Sequence, residues 1–376
     1  MTEATDRFAL PGILKLQPYS PGMPIDELQR RLGLSNVVKL ASNENPLVPS
    51  PQVKAVLADA IQGNLALYPD GSGYALKRAL SAYHGIAPEC ITLGNGSNDL
   101  LEFLSRIFLG PGRAALFSAH AFAVYALATQ AQDAEAVIAP SLPADHPNAP
   151  YGHDLAAFSG ALAARPDISL VFIANPNNPT GTWLSAEAVE SFLDTVPPHV
   201  VVAYDEAYFD YMAPQHRGDA TQWLKRFPNV VICRTFSKAY GLAGLRAGYA
   251  LSSPRIADLL NRVRQPFNMN SLALLAAEHA LADQAHVGES VALNTRERGR
   301  LTDACEALGL KVLPSQANFI AIDFERDAAP LHQGLLEQGV IVRPMGSYQM
   351  PTFLRVSVGT ERENDRFLAA LETLLA

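Results

Sequence analysis

The feature that most constrains the fold of this chain is an alternation of short apolar runs with helical patterns between about residues 90 and 251. Several of the runs are apolar on both faces, as is typical of strands that helices cover on both sides. Helical spacing of the apolar residues is clearest at 98–108. The alternation predicts an α/β fold built on a mostly parallel, seven-stranded sheet. The predicted strands are 90–93, 113–117, 136–139, 168–174, 200–205, 229–235 and 247–251.

The chain beyond about residue 270 has a different pattern, which predicts a smaller α+β domain. An Ala- and Leu-rich helical region at 271–308 leads into strand-like runs and a final helix. These later elements are expected at 318–324, 340–344, 353–358 and 361–375. The first 35 residues are rich in Pro and Gly and predict an arm, because they are too few to form a domain alone. We therefore expect an arm at 1–35, a large domain at 36–270 and a small domain at 271–376.

The charge balance argues against two classes of partner. The chain has a formal net charge of −8 at pH 7, whereas nucleic acids and anionic membrane surfaces attract concentrated basic patches. A small anionic substrate stays compatible with this charge, because a pocket can be locally positive on an acidic protein.

The cysteine and histidine patterns predict neither a disulfide framework nor a metal site. The three cysteines are far apart without a CxxC pair, and the nine histidines show no HExxH or HxH spacing. The N-terminal sequence MTEATDRF is unlike a signal peptide. The stretch 114–132 lacks Asp, Glu, Lys and Arg, but polar residues interrupt it too often for a membrane span, so it predicts a buried strand and a helix. We expect a cytoplasmic protein.

Four local motifs follow predicted strands, where open α/β sheets bind ligands. The first is the glycine-rich sequence GNGSNDLLEF at 94–103, which leads into a helical pattern with Ser97 as the predicted N-cap. First-turn N–H groups and the helix dipole favour a bound phosphate there. An ordinary capped helix after a turn is the alternative, because loose glycine motifs are common.

The second motif is NPNNPTG at 175–181, directly after the apolar run 168–174. Two prolines and a glycine predict a rigid turn at the end of the strand. Such a turn would hold Asn178 at the carboxyl edge of the sheet, where its amide can donate or accept a hydrogen bond. A plain turn is the alternative, and the density of constrained residues favours a functional one.

The third motif is VVVAYDEAYFDY at 200–211, in which Asp205 and Glu206 end a strand that should be buried. A buried carboxylate is costly unless it meets a cation. A protonated pyridine nitrogen would be such a partner, and Tyr208 could reach a phenolic oxygen beside it. The alternative is that Asp205 caps the next element.

The fourth motif is RTFSKAYGLAGLRAGY at 234–249, in which Lys238 lies among small and apolar residues. Burial lowers the pKa of a lysine and makes the amine nucleophilic toward carbonyls. Thr235 and Ser237 supply hydroxyls, and Arg246 supplies a cation for a phosphate. A surface lysine, the usual alternative, explains neither the hydroxyls nor the arginine.

In this order, the four motifs resemble those of the fold type I pyridoxal 5′-phosphate (PLP) enzymes, specifically the class I and II aminotransferases. The resemblance covers essentially the whole chain and is strongest to the histidinol-phosphate aminotransferase family. Further matching segments are PYSPGMP (18–24), KLASNENP (39–46), YPDGSGYALKRAL (68–80), ANFI (317–320), GVIVRPM (339–345) and LRVSVG (354–359). It implies transamination between L-histidinol phosphate and 2-oxoglutarate, giving imidazole acetol phosphate and L-glutamate, in histidine biosynthesis.

The resemblance also implies a role for each matching residue around the cofactor. Lys238 would form the Schiff base with PLP and move the proton, and Asp205 would pair with the ring nitrogen. Asn178 and Tyr208 would bond the phenolic oxygen of the ring, which makes Lys238, Asp205 and Tyr208 the expected catalytic residues. The phosphate-binding residues would be Gly96, Ser97, Asn98, Thr235, Ser237, Arg246 and, from a neighbouring subunit, Tyr68. A homodimer is therefore implied.

For the substrate, the resemblance implies Arg355 as the residue that binds an anion, with Arg343 as its partner and with Tyr19 and Asn43 as helpers. Arginine forks suit the phosphate of histidinol phosphate and the carboxylates of glutamate alike. Both arginines could instead form surface or inter-strand ion pairs.

Two positions depart from the family pattern. The residue that stacks on the cofactor ring is commonly tyrosine, and the matching residue here is Phe122, which can stack but has no hydroxyl. Val48 stands in NPLVPSP at a position where the family usually has a glycine.

Two other functions stay open at this point, and a third is disfavoured. An aromatic amino acid aminotransferase would share the scaffold and differ in a few pocket contacts. A PLP-dependent decarboxylase of an amino acid phosphate would share the lysine and the aspartate but release carbon dioxide. A PLP-binding regulator would need a DNA-binding module, and the arm at 1–35 is too short and not basic.

Overall fold

The fold was analysed in a computed structural model, which describes residues 6–18, 21–63 and 65–376. The strands are β1 Val38–Lys39, β2 Ile91–Gly94, β3 Ala114–Ser118, β4 Glu135–Ala139, β5 Ile168–Ala174, β6 Val201–Asp205, β7 Val230–Thr235, β8 Gly248–Ser252, β9 Lys311–Val312, β10 Phe319–Asp323, β11 Val340–Ile341, β12 Arg343–Pro344 and β13 Phe353–Ser357. The α-helices are α1 Pro11–Lys15, α2 Ile25–Leu32, α3 Pro51–Gln62, α4 Tyr74–His84, α5 Ser97–Phe108, α6 Ala123–Ala131, α7 Leu155–Ala164, α8 Ala186–Leu193, α9 Ala220–Arg226, α10 Pro254–Val263, α11 Ser271–Ala282, α12 Gln284–Ala307, α13 Ala329–Glu337 and α14 Glu361–Leu375.

A seven-stranded sheet in the order β2-β8-β7-β6-β5-β3-β4 forms the framework of the larger part of the molecule. Strands β7, β6, β5, β3 and β4 are mutually parallel, and β8 runs antiparallel to both of its neighbours. The predicted α/β fold with a mostly parallel, seven-stranded sheet is therefore confirmed. Because the carboxyl ends of parallel strands lie at one edge, the loops after β5, β6 and β7 meet there.

Both faces of this sheet are buried, as the apolar runs predict. In β5, Val171 and Ile173 pack into one apolar cluster, whereas Leu170 and Phe172 pack into another. All four side chains are fully buried. Alternation along a strand sends successive side chains to opposite faces, so the two clusters are the two sides of the sheet. Helices cover both sides, which is why the strands show no polar alternation.

A four-stranded antiparallel sheet, β12-β13-β10-β9, lies in the C-terminal part of the chain. The single strand predicted at 340–344 is wrong, because β11 pairs in parallel with β1 whereas β12 pairs with β13. The helical region predicted at 271–308 is confirmed and consists of two helices, α11 and α12. Asp283 separates them and caps α12 by accepting from the His286 N–H at 3.2 Å. The domain boundaries near residues 35 and 270 stay predictions.

The N-terminal segment packs against the rest of the molecule at two places. The Gly12 N–H donates to Asp133 Oδ1 at 3.0 Å, and a Cβ at Gly12 would collide with the carbonyl oxygen of Gln130. Helix α1 therefore lies directly on the end of α6. Leu28 of α2 is buried against Ala41 and Ile341.

In the described part of the chain, no helix is both long enough and apolar enough to cross a bilayer. Over the same residues, His, Cys, Asp and Glu side chains form no group of three or more that could hold a metal ion.

Candidate active site

A cavity of about 790 Å³ lies at the carboxyl ends of β5, β6 and β7. Residues from the N-terminal segment (Leu16, Pro21 and Gly22) and from the C-terminal sheet also line it. The structure brings most of the predicted site residues together here. Those that line the cavity are Asn43, Ser97, Asn98, Phe122, Asn178, Asp205, Tyr208, Thr235, Ser237, Lys238, Arg246, Arg343 and Arg355.

Lys238 lies in the connection between β7 and β8, with its amine at the cavity. The Nζ donates to the carbonyl oxygens of Ser42 at 3.3 Å and Asn43 at 3.1 Å. Burial lowers the pKa of Lys238 to about 8, and the nearby positive charge of Arg355 is the second largest cause of that shift. A lysine with such a pKa has a substantial neutral fraction near neutral pH, and the neutral amine is the nucleophile that attacks a carbonyl.

Asp205 ends β6 and is buried, with both carboxylate oxygens accepting hydrogen bonds. Oδ1 accepts from the Ala207 N–H at 3.1 Å, and Oδ2 accepts from the Tyr125 hydroxyl at 2.9 Å. The contact with Ala207 is local, but Asp205 does not cap the next element, because the short turn Phe209–Tyr211 has Tyr208 as its N-cap. The Asp205 carboxylate lines the cavity. Burial raises the pKa of Asp205 above its ordinary value, while the two hydrogen bonds and the charge of Lys238 oppose that rise.

Glu206, the next residue, does not line the cavity with Asp205 but forms a buried ion pair. The Arg234 Nε donates to Glu206 Oε2 at 2.8 Å, and the side chains are 12% and 3% exposed. The Arg234 guanidinium also lies 4.0 Å from the Phe209 ring centroid. The cation that a buried carboxylate requires is thus supplied from within the protein for Glu206.

The N-terminus of α5 differs from the prediction in its cap. Gly96, with φ of 81°, is the N-cap, and Ser97 is the first helical residue, so the predicted Ser97 N-cap is wrong. No side chain caps this helix, whereas a serine at the cap would bond one of the first N–H groups. The first turn therefore presents backbone donors and a positive dipole end to the cavity, where Ser97 and Asn98 lie.

Arg246 packs tightly against this helix N-terminus. Its backbone is left-handed, with φ of 58°, and its Nη1 donates to Ser237 Oγ at 3.3 Å and to the Ala243 carbonyl at 3.2 Å. A Cβ at Gly96 would collide with Arg246 Nη2, and a Cβ at Gly248 would collide with the Ser97 nitrogen. The two glycines thus allow a guanidinium and helix N–H groups to converge on one place. Such convergence is the chemistry of a phosphate site.

Two hydroxyls complete this part of the cavity. Thr235 Oγ1 accepts from the Ser237 N–H at 3.1 Å and donates to the Ala247 carbonyl at 3.4 Å. The side chains of Thr235 and Ser237 are both buried, and both residues line the cavity.

Arg355, on β13, is the buried cation on the side of the C-terminal sheet. Its Nη2 donates to the Ala41 carbonyl at 2.9 Å, its Nη1 donates to Asn178 Oδ1, and its buried Nε has no partner among the described residues. Arg343 is its direct cross-strand neighbour. Like charges in that register repel, and an anion between the two guanidiniums would relieve the repulsion.

Tyr208 and Asn43 form a hydrogen-bonded pair next to Lys238. Asn43 Nδ2 donates to the Tyr208 hydroxyl oxygen at 2.9 Å, and Asn43 Oδ1 accepts from Ser357 Oγ at 3.2 Å. Burial raises the pKa of Tyr208 to about 12, although the charge of Arg355 acts in the opposite direction. Tyr208 therefore stays protonated and can donate. The predicted role of Asn43 in substrate binding stays a prediction, since protein groups already bond both ends of its amide.

Tyr125 is the residue that the sequence analysis missed. It lies in α6, three residues after Phe122, and is fully buried with its hydroxyl on Asp205. The only sequence signal was a polar aromatic side chain in a largely apolar helix. That signal does not identify a partner 80 residues further along the chain.

The remaining predicted residues lie elsewhere. Tyr68 is 81% exposed, stacks on Phe267 with ring centroids 4.6 Å apart, and is not among the described residues that line the cavity. Val48 is exposed and does not belong to that lining either. Gly96 is not among the described residues that line the cavity, but the next residue, Ser97, is. Tyr19 lies outside the described residues.

Comparisons with known proteins agree with one another. A family model for aminotransferase class I and II matches residues 35–371. The chain is 52% identical over 373 residues to histidinol-phosphate aminotransferase 2 of Pseudomonas aeruginosa, covering 98% of each chain. It is 50% identical over 364 residues to histidinol-phosphate aminotransferase 1 of Idiomarina loihiensis, covering 97% of this chain and 96% of that one. A crystal structure of histidinol-phosphate aminotransferase from Sinorhizobium meliloti in complex with pyridoxal-5′-phosphate has a TM-score of 0.90 at 30% identity, covering 100% of this chain and 99% of that one.

Proposed function

The chain belongs to the class I and II aminotransferase family and is a PLP-dependent aminotransferase, and on this premise we propose that it transfers the amino group of L-histidinol phosphate to 2-oxoglutarate. The products are imidazole acetol phosphate and L-glutamate, and the reaction belongs to histidine biosynthesis. Relatives that share about half of their residues with this chain over nearly its whole length, and that carry the name of this activity, support the proposal.

The observation that carries the substrate assignment is the pair of arginines on adjacent strands, Arg355 and Arg343. Arg355 is buried and, in the described part of the chain, has hydrogen bonds only to Ala41 and Asn178. Two neighbouring guanidiniums suit a dianionic phosphate on the amine donor and the carboxylates of glutamate. Phenylalanine carries one singly charged carboxylate and a neutral ring, so the pair favours the dianionic phosphate of histidinol phosphate over an aromatic amino acid.

The residues at the cavity fit PLP. The α5 N-terminus, Ser237 and Arg246 would hold the cofactor phosphate, and Asp205 would pair with the ring nitrogen. A Cβ at Gly96 would fill space beside Arg246, so the cradle depends on the glycine. Asn178 and Tyr208 would bond the phenolic oxygen. When bound, PLP supplies a carbonyl that condenses with amines and a conjugated ring that disperses negative charge.

The protein contributes positioning, proton movement and electrostatics. Lys238 would hold the cofactor through Nζ and, once the substrate amine has displaced it, would take up and return the proton. Its pKa of about 8 suits both directions of that transfer. Asp205 would keep a proton on the ring nitrogen, and Arg355 with Arg343 would orient the substrate anion. Phe122 lines the cavity, where its ring would stack on the cofactor.

We also propose a homodimer in the cytoplasm, in which Tyr68 would reach the cofactor phosphate of the partner subunit. The exposure of Tyr68 and its absence from the described lining of its own cavity support this arrangement. Within each subunit, residues 36–270 would form the cofactor-binding domain and residues 271–376 the smaller domain.

The test is a half-reaction followed by absorbance of the cofactor. PLP-loaded protein is mixed separately with L-histidinol phosphate, L-glutamate and L-phenylalanine. We expect rapid conversion to pyridoxamine phosphate with the first two, and kcat/KM about 100-fold lower with phenylalanine, because contacts to charged groups are lost. Equal or faster conversion with phenylalanine would pass the substrate assignment to the aromatic aminotransferase. Carbon dioxide release without pyridoxamine phosphate would indicate the decarboxylase.

Arg343→Gln sharpens this test. The variant should lower kcat/KM for histidinol phosphate by about 10-fold or more and change that for phenylalanine far less, since only the first substrate carries a phosphate. Arg262→Gln, at an exposed ion pair on α10, is the matched control and should leave both values unchanged.

A further inference from the structure

Tyr125 is a fully buried residue with its one polar side-chain atom bonded to Asp205. Its ring stacks on Phe172 with centroids 4.6 Å apart and an interplanar angle of 5°, and the Phe122 ring meets it edge-on at 5.8 Å. These rings fix the phenol in position. The hydroxyl donates to Asp205 Oδ2 at 2.9 Å.

The protonation of the two groups sets the direction of this hydrogen bond, with Tyr125 as the donor. Burial and the neighbouring charge of Asp205 raise the pKa of Tyr125 well above its ordinary value, so the phenol remains protonated. A phenol in this state donates, and an ionised carboxylate accepts only. Burial raises the pKa of Asp205, and the Tyr125 hydrogen bond opposes that rise.

The carboxylate of Asp205 is also held in orientation. Oδ1 is bonded to the Ala207 N–H and Oδ2 to Tyr125, so both oxygens have one fixed donor. Each carboxylate oxygen has a second lone pair, which leaves room for a further donor from the cavity. A side-chain substitution can remove the Tyr125 donor, whereas the Ala207 donor is backbone.

We propose that Tyr125 is a positioning residue that keeps Asp205 ionised and aims its carboxylate at the ring nitrogen of PLP. The inference rests on the proposed role of Asp205 and adds Tyr125, which would act on the cofactor only through the Asp205 carboxylate. A purely structural role for Tyr125 would reside in the stacked rings, and those remain when phenylalanine replaces tyrosine.

The test compares two cofactors that differ at one ring atom. Cofactor-free full-length protein is titrated with PLP and with the 1-deaza analogue of PLP, in which a C–H replaces the ring nitrogen, and each dissociation constant is measured by fluorescence. Tyr125→Phe should weaken PLP binding about 10-fold to 100-fold, the range for one hydrogen bond to a charged group. It should change binding of the analogue less than about 3-fold. Neither titration uses a substrate, so a wrong substrate assignment leaves the outcome unaffected.

Controls separate positioning from packing. Tyr249→Phe removes another buried hydroxyl, bonded to His84 at 3.0 Å, and should change neither dissociation constant. In a protein that already carries Asp205→Asn, adding Tyr125→Phe should not weaken PLP binding further. The side chain that accepts the Tyr125 hydrogen bond is then no longer charged. If Tyr125→Phe weakened both cofactors equally, or weakened neither, the proposal would be overturned.

The pH dependence gives an independent readout. Removing the hydroxyl raises the pKa of Asp205, so as pH falls the carboxylate is protonated at a higher pH in the variant. The decline of PLP affinity on the acid side should therefore begin at a higher pH in Tyr125→Phe than in the parent protein. Coincident pH profiles would contradict the proposed electrostatic role. If Asp205→Asn weakened the binding of PLP no more than the binding of the analogue, the pairing of Asp205 with the ring nitrogen would fall, and the role of Tyr125 with it.

Discussion

Lys238 illustrates how single residues in this site are tuned by what surrounds them. Its amine is bonded to two backbone carbonyls, and burial with the nearby charge of Arg355 disfavours the ammonium form. The negative charges of Glu44 and Asp205 oppose this effect on the pKa of Lys238. The balance leaves an amine that changes charge near pH 8, where a proton can move both ways.

The first prediction concerns the stability of the cofactor-free protein. The folded pKa of Lys238 is about 8 and lies below the ordinary lysine value of 10.5, so the unfolded chain binds more protons between these pH values. The free energy of unfolding should therefore rise from about pH 8 to pH 10.5, and the cost of the buried charge should be fully present below pH 8. Lys238→Met should be more stable than the parent by about 1–3 kcal/mol at pH 7, and this gain should shrink toward pH 10.

Urea unfolding at a series of pH values measures this difference. Lys225→Met, at an exposed lysine on α9, serves as the control and should show little change at any pH. A stability difference for Lys238→Met that stays constant between pH 7 and pH 10 would contradict the predicted linkage.

Single residues also mark the limit of sequence-based prediction. Lys238, Asp205 and Arg246 lie in local motifs with a recognisable chemistry, and the structure brings all three to one cavity. Tyr125 is different, because its partner is 80 residues away. The bond between Arg355 and Asn178 spans 177 residues. Contacts of this kind depend on how the strands are ordered in the sheet, which the local pattern does not contain.

At the scale of elements, the phosphate-binding region depends on close contact between β8 and α5. Gly248 begins β8, and a Cβ there would collide with the Ser97 nitrogen and the Gly96 carbonyl carbon. The backbone of α5 would have to shift for a larger residue to fit, and its first-turn N–H groups would move with it.

We predict that Gly248→Ala weakens PLP binding about 10-fold or more, because one or more phosphate hydrogen bonds are lost. The variant should also unfold more readily, since backbone atoms cannot move aside as a flexible side chain can. Gly288→Ala, inside α12 with open space at the Cβ position, is the matched control and should be neutral or stabilising by about 0.5–1 kcal/mol. Fluorescence titration and thermal unfolding of both variants check these expectations, and unchanged PLP affinity in Gly248→Ala would contradict them.

Strands and helices were predictable where the sequence pattern depends only on residues close together in the chain. The seven long strands agree with the apolar runs to within one residue at each end, because burial on both faces leaves a continuous apolar run. The run 340–344 also had a strand-like pattern, yet it divides between two sheets because β11 pairs with β1, some 300 residues away. The N-cap of α5 was misplaced for a related reason. The cap is Gly96, where the packing of Arg246 leaves no room for a Cβ, and that contact spans 150 residues.

At the scale of the whole molecule, several large apolar side chains near Tyr68 are exposed in the single chain. Leu67, Tyr68 and Tyr74 are 69%, 81% and 61% exposed, and Phe267, which stacks on Tyr68, is 43% exposed. Contiguous exposed apolar groups favour contact with another protein surface. This exposure is consistent with a homodimer, which the sequence suggested only through the family resemblance.

Subunit mixing tests whether Tyr68 acts across such an interface. Lys238→Ala and Tyr68→Ala should each lower activity severely, because one removes the amine and the other a phosphate contact. When the two proteins are unfolded together and refolded, mixed dimers would contain one site with an intact Lys238 and an intact Tyr68 from the other subunit. If the subunits mix at random, half of the dimers are mixed, and each mixed dimer has one intact site out of two. We therefore expect activity to return to about a quarter of the parent value.

Refolding each variant alone is the control and should restore nothing. If the mixture stayed as inactive as its components, Tyr68 would act within its own chain or not at all, and the dimeric site would have to be abandoned. Light scattering of the parent protein gives the oligomeric state independently.

The connection between β7 and β8 has one further consequence, which concerns protein engineering. Its ends are tied by the Phe236 N–H to the Ala247 carbonyl at 3.0 Å, and inside it the Leu242 N–H bonds the Phe236 carbonyl at 2.9 Å. Lys238 and Arg246 therefore sit on one self-closed loop between two adjacent antiparallel strands. We expect the loop to keep its conformation in a related scaffold only if Asn45, which donates to the carbonyls of Lys238 and Ala239, is transferred with it. An insertion between Lys238 and Arg246 would change the spacing between the amine and the guanidinium.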